Sequence, residues 1–404
     1  MSHSYDLAII GGGPAGAAAA ITAARSGASV LLLERGRYPR HKVCGEFVSA
    51  EAIGLLKWLL GEFADDLFRA PIALTESRLF LDGRTIHVPI RPAAVSIARY
   101  DLDLALWKAA CREGAAAYQE TAVQRVEGGN PFRIQTSAGE FRARAVINAS
   151  GRWSNLNWSN LKRSNLNWPN SNRSHAKPVP PHRNGGPRWL GLKAHFYGEM
   201  EPVVDLYFFE GGYCGVQPVR NGASTVNVCA LFQPAAPERK LSRSSPSRPD
   251  ASASFDDLFA RHPVLRERAR HWKLAFPALS TFPVTFRNPR PVSGTIFNAG
   301  DAAAFVDPFV GDGISLALRG GNLAARNAGR FLAGQCDLEE AIAAYAQDYR
   351  RSLRPVYQAS SLLRKFLLVP RRLRAPFLMA CERSPRLARY LVKTTRSRTV
   401  PQDF

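Results

Sequence analysis

The chain of 404 residues is long enough for two to three domains and for a core that needs no disulfide bonds. Its 46% hydrophobic content and its mean hydropathy of −0.19 exclude a largely disordered protein. The 54 Lys and Arg residues against 33 Asp and Glu give a net charge of +21, which excludes an acidic solvating protein. This charge leaves anionic small molecules, nucleic acid or an anionic membrane surface as partners.

The cysteine spacing and the N-terminal sequence indicate in which cellular compartment the protein is expected. None of the six cysteines forms a CxxC pair or has metal-ligand spacing, so we expect reduced thiols and no metal site. The N-terminus lacks the basic and apolar regions of a signal peptide, and no uncharged apolar run of about 18 residues occurs. We therefore expect a cytoplasmic protein.

The first predicted elements surround a glycine-rich turn. Tyr5–Ile10 has the apolar composition of a short strand, and the sequence GGGPAG follows it directly. An alanine-rich helix is predicted over Ala17–Ser26, and a second strand over Ala28–Leu33 ends at Glu34. The order strand, glycine turn, helix, strand and acid is the full context of the GxGxxG fingerprint for dinucleotide binding.

The residues of this motif have separate tasks. Gly11 permits a tight turn, Gly13 lets the backbone approach a pyrophosphate, and Gly16 lets the helix pack closely on the strand. The helix N-terminus offers unpaired N–H groups to the phosphates. Glu34 stands where a carboxylate accepts the ribose hydroxyls of an adenosine, so the motif fits both NAD and FAD. The residues assigned to the cofactor here are Gly11, Gly13, Pro14, Ala15, Gly16, Glu34 and Arg35.

The rest of the chain is predicted to alternate between a helix-and-strand pattern and strand-rich segments. The strand-rich segments include a hairpin whose Asp82-Gly83 dipeptide is a type I′ turn signal. Polar Asn- and Ser-rich pentads after residue 153 predict a low-complexity loop, for which nucleic-acid stacking by tryptophans is the weaker alternative. The predicted units are a cofactor domain (1–77, 96–153 and 281–330), a β-sheet substrate domain (78–95 and 187–280), a low-complexity loop (154–186) and a basic helical C-terminal segment (331–404).

The C-terminal segment combines basic residues with leucines. The stretch from Arg350 to Arg398 contains 14 Lys or Arg residues and one acid, Glu382, with leucines at helical spacing between them. This pattern predicts either reversible association with an anionic membrane or an apolar face packed on the cofactor domain with solvated arginines. We expect no nucleic-acid partner, because no nucleic-acid motif accompanies the charge.

Three further segments carry a resemblance to a known family. They read RYPRHKVCGEFVS over 37–49, RYDLDLALWKAACREG over 99–114 and NAGDAAAFVDPFVGDGISLALRGG over 298–321. Together with GGGPAG they resemble the geranylgeranyl reductase family, within the FAD-dependent oxidoreductases that include aromatic hydroxylases and flavin halogenases. The resemblance covers most of residues 1–330. It implies an α/β fold of the glutathione-reductase and hydroxylase type, in which a β-sheet substrate domain is inserted into an FAD-binding Rossmann-type domain and a helical C-terminal segment follows.

The segment after residue 298 is expected to face the flavin. Gly300 and Asp301 end a predicted strand, and the resemblance places Asp301 at the ribityl and pyrophosphate region of FAD. The turn through Gly311 and Gly313 opens a helix at Ile314. The N-terminus of that helix can face the edge of the flavin where negative charge accumulates on reduction. The alternative is a plain turn before a core helix.

The two earlier segments supply further candidates. The resemblance implies that Arg99 approaches the FAD, whereas an ion pair of Arg99 with Asp101 or Asp103 is the alternative. Lys42, Cys44 and Gly45 match a KxCG segment that lies beside the isoalloxazine ring in the family, which makes Cys44 and Lys42 the candidate catalytic residues. The alternatives are a buried structural thiol and a solvated lysine.

The predicted substrate domain departs from the family pattern. Archaeal reductases have YxWxFP where this chain has YCGVQP over 213–218, so glycine and glutamine replace two aromatic residues. Tyr213 and Gln217 remain candidates for substrate contact, in a cavity that differs from the archaeal one. His195 lies on a predicted strand and is either a general acid for the substrate or a structural histidine. The WxWxIP motif of tryptophan halogenases is absent.

These features favour an FAD-dependent oxidoreductase that reduces C=C bonds of a lipophilic, isoprenoid- or polyene-like substrate. The alternative is an FAD-dependent monooxygenase that hydroxylates an aromatic or polyketide-like substrate. No second GxGxxG occurs, so NAD(P)H is expected to bind transiently or a separate electron carrier is expected to reduce the flavin. A lipophilic substrate gives membrane contact a purpose, and we therefore expect a cytoplasmic protein that can lie on the inner membrane face.

Overall fold

The structure is a computed structural model that describes residues 4–152, 156–159, 188–221, 223–234, 253–384, 386–387, 390 and 396. Most of the predicted low-complexity loop 154–186 therefore lies outside the described residues. Within that loop, Asn157–Ser159 form a short strand rather than irregular chain and pair in parallel with residues 125–127. The preceding Leu156 is buried in the core, which anchors this strand at the edge of a sheet.

The elements are numbered in chain order. The strands are β1 (Ser4–Ile10), β2 (Val30–Leu33), β3 (Phe47–Val48), β4 (Ile72–Leu81), β5 (Arg84–Ser96), β6 (Ala116–Tyr118), β7 (Val123–Glu127), β8 (Phe132–Thr136), β9 (Gly139–Asn148), β10 (Asn157–Ser159), β11 (Trp189–Tyr197), β12 (Val203–Phe209), β13 (Gly212–Asn221), β14 (Ala223–Phe232), β15 (Lys273–Leu274), β16 (Leu279–Val284), β17 (Val292–Ser293) and β18 (Ile296–Asn298). The helices are α1 (Pro14–Arg25), α2 (Ala50–Leu60), α3 (Phe63–Phe68), α4 (Arg99–Arg112), α5 (Ala253–Ala260), α6 (Pro263–Ala269), α7 (Gly313–Leu332), α8 (Leu338–Ser352), α9 (Arg354–Leu367) and α10 (Arg371–Arg383).

The first sheet carries the glycine turn. Its strand order is β10-β7-β8-β9-β1-β2-β6, with β18 beside β9. β1 pairs in parallel with β2 and with β9, so that Ile10 is level with Leu33 and with Asn148. Because parallel strands end at one edge of a sheet, the residues that follow these three strands meet near the N-terminus of α1. The predicted α/β class with a Rossmann-type domain is confirmed.

The second sheet has the order β15-β11-β14-β13-β12-β4-β5-β3, with β16 beside β11. Side chains alternate along β11. Leu192 and Ala194 pack into a core that α5 and α6 cover. Lys193 and His195 point from the other face toward residues 41–46 of the first domain. The polar face of this sheet therefore borders the cofactor domain.

The substrate sheet extends past its predicted boundaries. Strand β4 begins at Ile72 and β5 ends at Ser96, so this hairpin extends beyond the predicted domain segment 78–95 at both ends. Strand β16 reaches Val284, beyond the predicted limit at 280, because it pairs with β11. These extensions depend on backbone pairing between distant segments, which the weak apolar alternation of residues 72–77 does not signal. The turn itself has a φ of 56° at Asp82 and 77° at Gly83, as a type I′ turn requires.

The helices of the C-terminal segment pack on both units. α8 begins with a capping box between Asp337 and Glu340 and packs along α7. Leu378 of α10 is buried against the β4–β5 hairpin, and Arg374 pairs with Asp82 at the tip of that hairpin at 2.7 Å. Among the described residues, no helix is both long enough and apolar enough to cross a bilayer.

Small residues allow α1 and α7 to cross at short distance. A Cβ atom on Gly16 would overlap the carbonyl oxygen of Gly11, and a Cβ atom on Gly321 of α7 would overlap the carbonyl oxygen of Ala15. The alanines of α1 are buried along the same contact. This close packing keeps the N-terminus of α1, and with it the glycine turn, in a fixed position.

We predict that Gly321→Ala destabilises the fold by about 1–3 kcal/mol, because the added methyl group forces the backbones of α1 and α7 apart. Gly329→Ala on the same helix is the matched control, since its Cβ atom would meet no atom within 4 Å. Alanine there should stabilise the helix by up to about 1 kcal/mol. Urea denaturation of both variants measures the difference, and equal stabilities would contradict the packing argument.

Candidate active site

The glycine turn leaves open space beside α1. Gly11 has a φ of 102°, and a Cβ atom on it would overlap the carbonyl oxygen of Ala149 at the end of β9. Gly13 has an ordinary extended backbone with a φ of −69°, and a Cβ atom on it would meet no atom within 4 Å. The space in front of Gly13 and the unpaired N–H groups that follow Pro14 in the first turn of α1 can therefore receive a pyrophosphate, as the fingerprint predicts.

Glu34 lies at the end of β2 and is 6% exposed. Its carboxylate accepts hydrogen bonds from the backbone N–H groups of Gly12 and Gly36, each at 2.9 Å. The Arg40 guanidinium forms an ion pair with it at 2.7 Å. Burial alone would raise the pKa of Glu34, but Arg40 and these N–H groups hold the pKa below its ordinary value. The charged carboxylate suits the ribose hydroxyls of an adenosine.

Arg40, which the sequence does not indicate, forms the ion pair with Glu34. Arg35, which is predicted to bind the cofactor, has no such contact. The side chain of Arg35 is exposed, whereas Arg40 packs over the ring of Tyr38 and reaches back to Glu34. The RYPR sequence shows that an arginine follows the acid, but the fold of the loop decides which of several arginines pairs with Glu34.

Lys42 lies among cationic groups. Burial is the largest effect on its pKa, and Arg40 and Arg99 add repulsion, so that the pKa falls to about 8. A cluster of Arg40, Lys42 and Arg99 suits an anionic ligand such as a dinucleotide. Lys42 is therefore partly buried beside the candidate cofactor site rather than a fully solvated loop residue.

Cys44 and Gly45 lie where the cofactor domain meets the substrate sheet. The side-chain amide of Asn227 on β14 donates to the carbonyl oxygen of Cys44 at 3.1 Å. The N–H of Glu46 approaches the Cys44 Sγ at 3.4 Å, and the thiol is half-buried. A Cβ atom on Gly45 would meet no atom within 4 Å. The loop thus presents an open glycine next to an accessible thiol.

Glu46 is the centre of a buried ionic network that sequence analysis missed. Its carboxylate contacts the Lys193 ammonium, and His195 Nε2 lies 2.6 Å from its second oxygen. The N–H of Arg99 at the start of α4 donates to it at 2.8 Å. The side chains of Glu46, Lys193 and His195 are fully buried. Burial alone would raise the pKa of Glu46, but Lys193 and His195 hold it well below its ordinary value.

The same network includes His195, and it contains three side chains that lie close enough together to hold a metal ion. His195 is predicted as a substrate contact, but it is bound to Glu46 and packs its ring against Phe276. Ligand atoms of His41, Glu46 and His195 lie within 4.8 Å of one another. Lys193 already neutralises the carboxylate, however, so the described residues give a salt-bridge network here rather than a built metal site.

Arg99 forms an ion pair with Asp103, one of the two partners that the alternative prediction names. It makes a two-pronged ion pair with Asp103, with both N···O distances at 2.7 Å. The pair is buried on one turn of α4, and the Arg99 guanidinium also lies near Cys44. Arg99 therefore borders the candidate flavin site while Asp103 fixes its orientation.

The segment after β18 brings its predicted residues to the same edge of the first sheet. Gly300 has a φ of 59°, and a Cβ atom on it would lie 2.8 Å from Ala15 Cβ, so the turn packs on α1. The side chain of Asp301 is partly exposed, and Arg152 lies 3.6 Å from it. Gly311, with a φ of 73°, turns the chain so that Gly313 and Ile314 begin α7.

A group of rings lies between this segment and strands β11, β12 and β13 of the second sheet. We call it the aromatic wall; its members are Trp189, Phe208, Tyr213, Phe286, Phe305 and Phe309. Their ring centroids lie 5.4–6.2 Å apart in neighbouring pairs. Five of the six rings are only half-buried. Such a surface binds a flat or apolar molecule.

One acid lies at the aromatic wall. The Tyr213 hydroxyl donates to Asp307 at 2.9 Å and accepts from the N–H of Phe309 at 3.0 Å. Burial raises the pKa of Asp307 to about 6, against the lowering effect of Tyr213 and Arg364. Tyr213 is thus in the predicted substrate region, whereas the second candidate, Gln217, is bound to Ser96 at 2.8 Å on the polar face of the sheet. The pattern YCGVQP does not reveal Asp307, whose role depends on a contact between two domains.

We predict that Gly13→Val abolishes cofactor retention but leaves the fold intact. The valine side chain occupies the open space in front of α1 and its backbone tolerates any residue, so only the pyrophosphate is excluded. Gly329→Val, whose Cβ atom also meets nothing, is the matched control and should retain flavin. Absorbance of the purified proteins and chromatography of the heat-released cofactor measure the outcome. Full flavin content in Gly13→Val would contradict this placement.

Comparisons with known proteins find similarity to flavin-dependent halogenases and to a reductase-like protein. The flavin-dependent halogenase armH3 of Armillaria mellea is 27% identical over 366 residues, which are 84% of this chain and 70% of that protein. The flavin-dependent brominase Bmp2 has a structure that matches with a TM-score of 0.73 and 22% identity, over 97% of this chain and 93% of that chain. A geranylgeranyl bacteriochlorophyll reductase-like protein from Thermoplasma acidophilum matches with a TM-score of 0.66 and 19% identity, over 98% and 92%. The two structural likenesses show the fold.

The family follows from the match of family models. A model described as FAD dependent oxidoreductase matches residues 91–326, which is more than half of the chain, and another with the same description matches residues 6–45. FAD fits the open space at Gly13, the carboxylate of Glu34 and the helix N-termini described above. The chain belongs to the FAD-dependent oxidoreductase family.

Proposed function

We propose that the protein uses reduced FAD and O₂ to hydroxylate or halogenate an aromatic substrate. The observation that carries this proposal is the aromatic wall with Asp307 at its edge, next to the candidate flavin segment. The similarity to armH3 and Bmp2, whose names describe halogenating flavoenzymes, supports it. It revises the order of the two sequence-based hypotheses, since the oxygen-using alternative now ranks above C=C reduction.

Bound FAD would, when reduced, supply two electrons to O₂, so that one oxygen atom leaves as water and the other goes to the substrate or to a halide ion. In halogenation the oxidised halogen would then replace a ring hydrogen, and its oxygen would leave with that proton as a second water. The chain's own residues do the rest. The aromatic wall binds and orients a flat ring, and its apolar surface excludes water. Asp307 is mostly ionised above pH 6 and can accept a proton through the Tyr213 hydroxyl. Removing a proton from a phenolic substrate makes its ring more nucleophilic.

Lys42, Cys44 and Gly45 have a supporting role in this proposal. Lys42 keeps a cationic group near the anionic cofactor. Gly45 leaves space for close approach of a planar ring. The electron donor remains a prediction: NAD(P)H bound transiently, or a separate carrier.

A second candidate function is reduction of C=C bonds in a lipophilic isoprenoid- or polyene-like substrate. One specific observation favours it, because below about pH 6 Asp307 is protonated and can, through the Tyr213 hydroxyl, donate the proton that saturation of a double bond requires at an otherwise apolar surface. The likeness to the geranylgeranyl bacteriochlorophyll reductase-like structure is compatible with it at the level of fold.

The reaction of reduced enzyme with O₂ separates the two functions. We predict that photoreduced, FAD-loaded protein mixed with O₂ shows a third, long-lived spectral species before oxidised flavin returns. With a phenol probe and bromide, labelled O₂ should give labelled hydroxylated product, or bromide should enter the ring. A single fast return to oxidised flavin, together with anaerobic reoxidation of the reduced enzyme by geranylgeraniol, would contradict the oxygen-using function and support the reductase.

We predict that Asp307→Asn removes a loss of folding stability that the wild-type protein shows as the pH rises through about 6. The folded-state pKa of Asp307 is raised to about 6 from an ordinary value of 3.8, so its contribution to stability is fully present below pH 3.8 and is lost as the pH rises through 6. Asparagine has no such titration and still accepts from Tyr213. The stability difference between variant and wild type should therefore shift in favour of the variant by about 2 kcal/mol between about pH 4.5 and about pH 7.5.

Denaturation at these two pH values measures this shift. Asp65→Asn on α3 is the matched control, because its carboxylate is exposed. A pH-independent difference between Asp307→Asn and wild type would show that Asp307 is not buried as described.

A further inference from the structure

The second half of α9, the turn that follows it and the start of α10 expose leucines beside basic residues. We call it the basic–leucine ridge; its members are Leu362, Lys365, Leu368, Arg371, Arg372 and Leu373. The three leucines are 66%, 72% and 73% exposed, and the three basic residues are exposed as well. Large apolar side chains grouped on a surface in this way mark an interaction site.

The opposite side of these helices is firmly packed. Leu378 and Cys381 of α10 are buried against Ile86 and Val88 of the hairpin. The guanidinium of Arg374 forms two hydrogen bonds of 2.7 Å with the carboxylate of Asp82. The packed side of α10 therefore fixes the ridge on the hairpin, and the leucines of the ridge face away from the protein's core.

The charge of this region is one-sided. From residue 349 to residue 381 the sequence has eight Lys or Arg residues and no Asp or Glu. Arg371 also approaches the hairpin tip, where its side chain donates to the carbonyl oxygen of Asp82, whereas Lys365 and Arg372 extend this positive surface. A surface with apolar tips between cations complements a bilayer whose headgroups are anionic.

The position of the ridge connects it to the candidate active site. Arg364 of α9 lies next to Lys365 in sequence, stacks over the ring of Phe286 at 3.7 Å, and lies 3.9 Å from Asp307. Phe366 packs with Phe208 against the hairpin core. Helix α9 thus carries one of the exposed leucines, Leu362, and also borders the aromatic wall through Arg364.

We infer that the basic–leucine ridge docks reversibly on an anionic lipid bilayer. Leu362, Leu368 and Leu373 enter the headgroup region, and Lys365, Arg371 and Arg372 contact lipid phosphates. Docking of this kind brings the edge of the aromatic wall close to the lipid surface, so an apolar substrate reaches the site without crossing water. Only this last consequence depends on the proposed function; the docking itself does not.

Vesicle co-sedimentation of the full-length, FAD-loaded protein tests the inference. Vesicles of phosphatidylcholine with phosphatidylglycerol are compared with vesicles of phosphatidylcholine alone, at low and at high salt. We expect binding to the anionic vesicles that weakens steeply with salt, since the Debye length falls from roughly 30 Å at 0.01 M to about 3 Å at 1 M. Neutral vesicles should bind at least tenfold more weakly.

Two variants locate the binding surface. Leu368→Ser with Leu373→Ser removes apolar contact, and Arg371→Ser with Arg372→Ser removes two charges; each pair should reduce binding about tenfold or more. The matched controls are Val264→Ser, an exposed apolar residue elsewhere, and Lys108→Ser with Arg287→Ser, which changes the net charge by the same amount. The controls should bind like wild type, and flavin absorbance should stay unchanged in all variants.

Other outcomes overturn the inference. No binding to anionic vesicles at low salt would leave the ridge as a solvated surface. Equal loss in the ridge variants and the controls would show that net charge alone attracts the protein. Concentration-dependent dimers that the leucine variant abolishes, without vesicle binding, would assign the ridge to a second copy of the chain. Binding to duplex DNA that only the arginine variant loses, again without vesicle binding, would assign it to nucleic acid.

Discussion

The buried carboxylate of Glu46 is the interaction on which the geometry of the site depends. It joins three separate parts of the fold: the loop of the cofactor domain that contains Cys44, strand β11 through Lys193 and His195, and the start of α4 through the N–H of Arg99. Charges taken out of water are stable only with full partners, so these parts hold one another in a single arrangement. Glu46 adopts a φ of 61°, which places its side chain between them.

This constraint explains why the second sheet has one polar and one apolar face. The apolar face is covered by α5 and α6, while Lys193 and His195 on the other face meet Glu46. The same polar face carries Tyr213 on β13, which is level with Gly191 of β11 across β14 and donates to Asp307 at the aromatic wall. The Glu46 network and the aromatic wall thus share one face of the sheet, and the contact at Glu46 holds that face against the cofactor domain.

The sequence predicts local chemistry well and contacts between distant segments poorly. The glycine turn and Glu34 lie within one strand-helix-strand unit, so their spacing alone indicates a dinucleotide site. Lys193 lies 147 residues after Glu46, and no periodicity links them. Asp307 acquires its raised pKa only because folding buries it, against the lowering effect of the hydrogen bond from Tyr213. At Arg99 the family resemblance implies only that the side chain approaches FAD. The structure shows in addition that its guanidinium forms a close ion pair with Asp103.

The most direct measurement compares the unfolding free energy of wild type, Glu46→Gln and the double variant Glu46→Gln/Lys193→Met. Glu46→Gln leaves the Lys193 ammonium buried without a counter-charge, so the account predicts a loss of about 3–5 kcal/mol. Methionine removes that charge at similar volume, so the double variant should regain much of the loss although it carries one more substitution. A Glu46→Gln protein as stable as wild type, or a double variant less stable than the single one, would contradict the account.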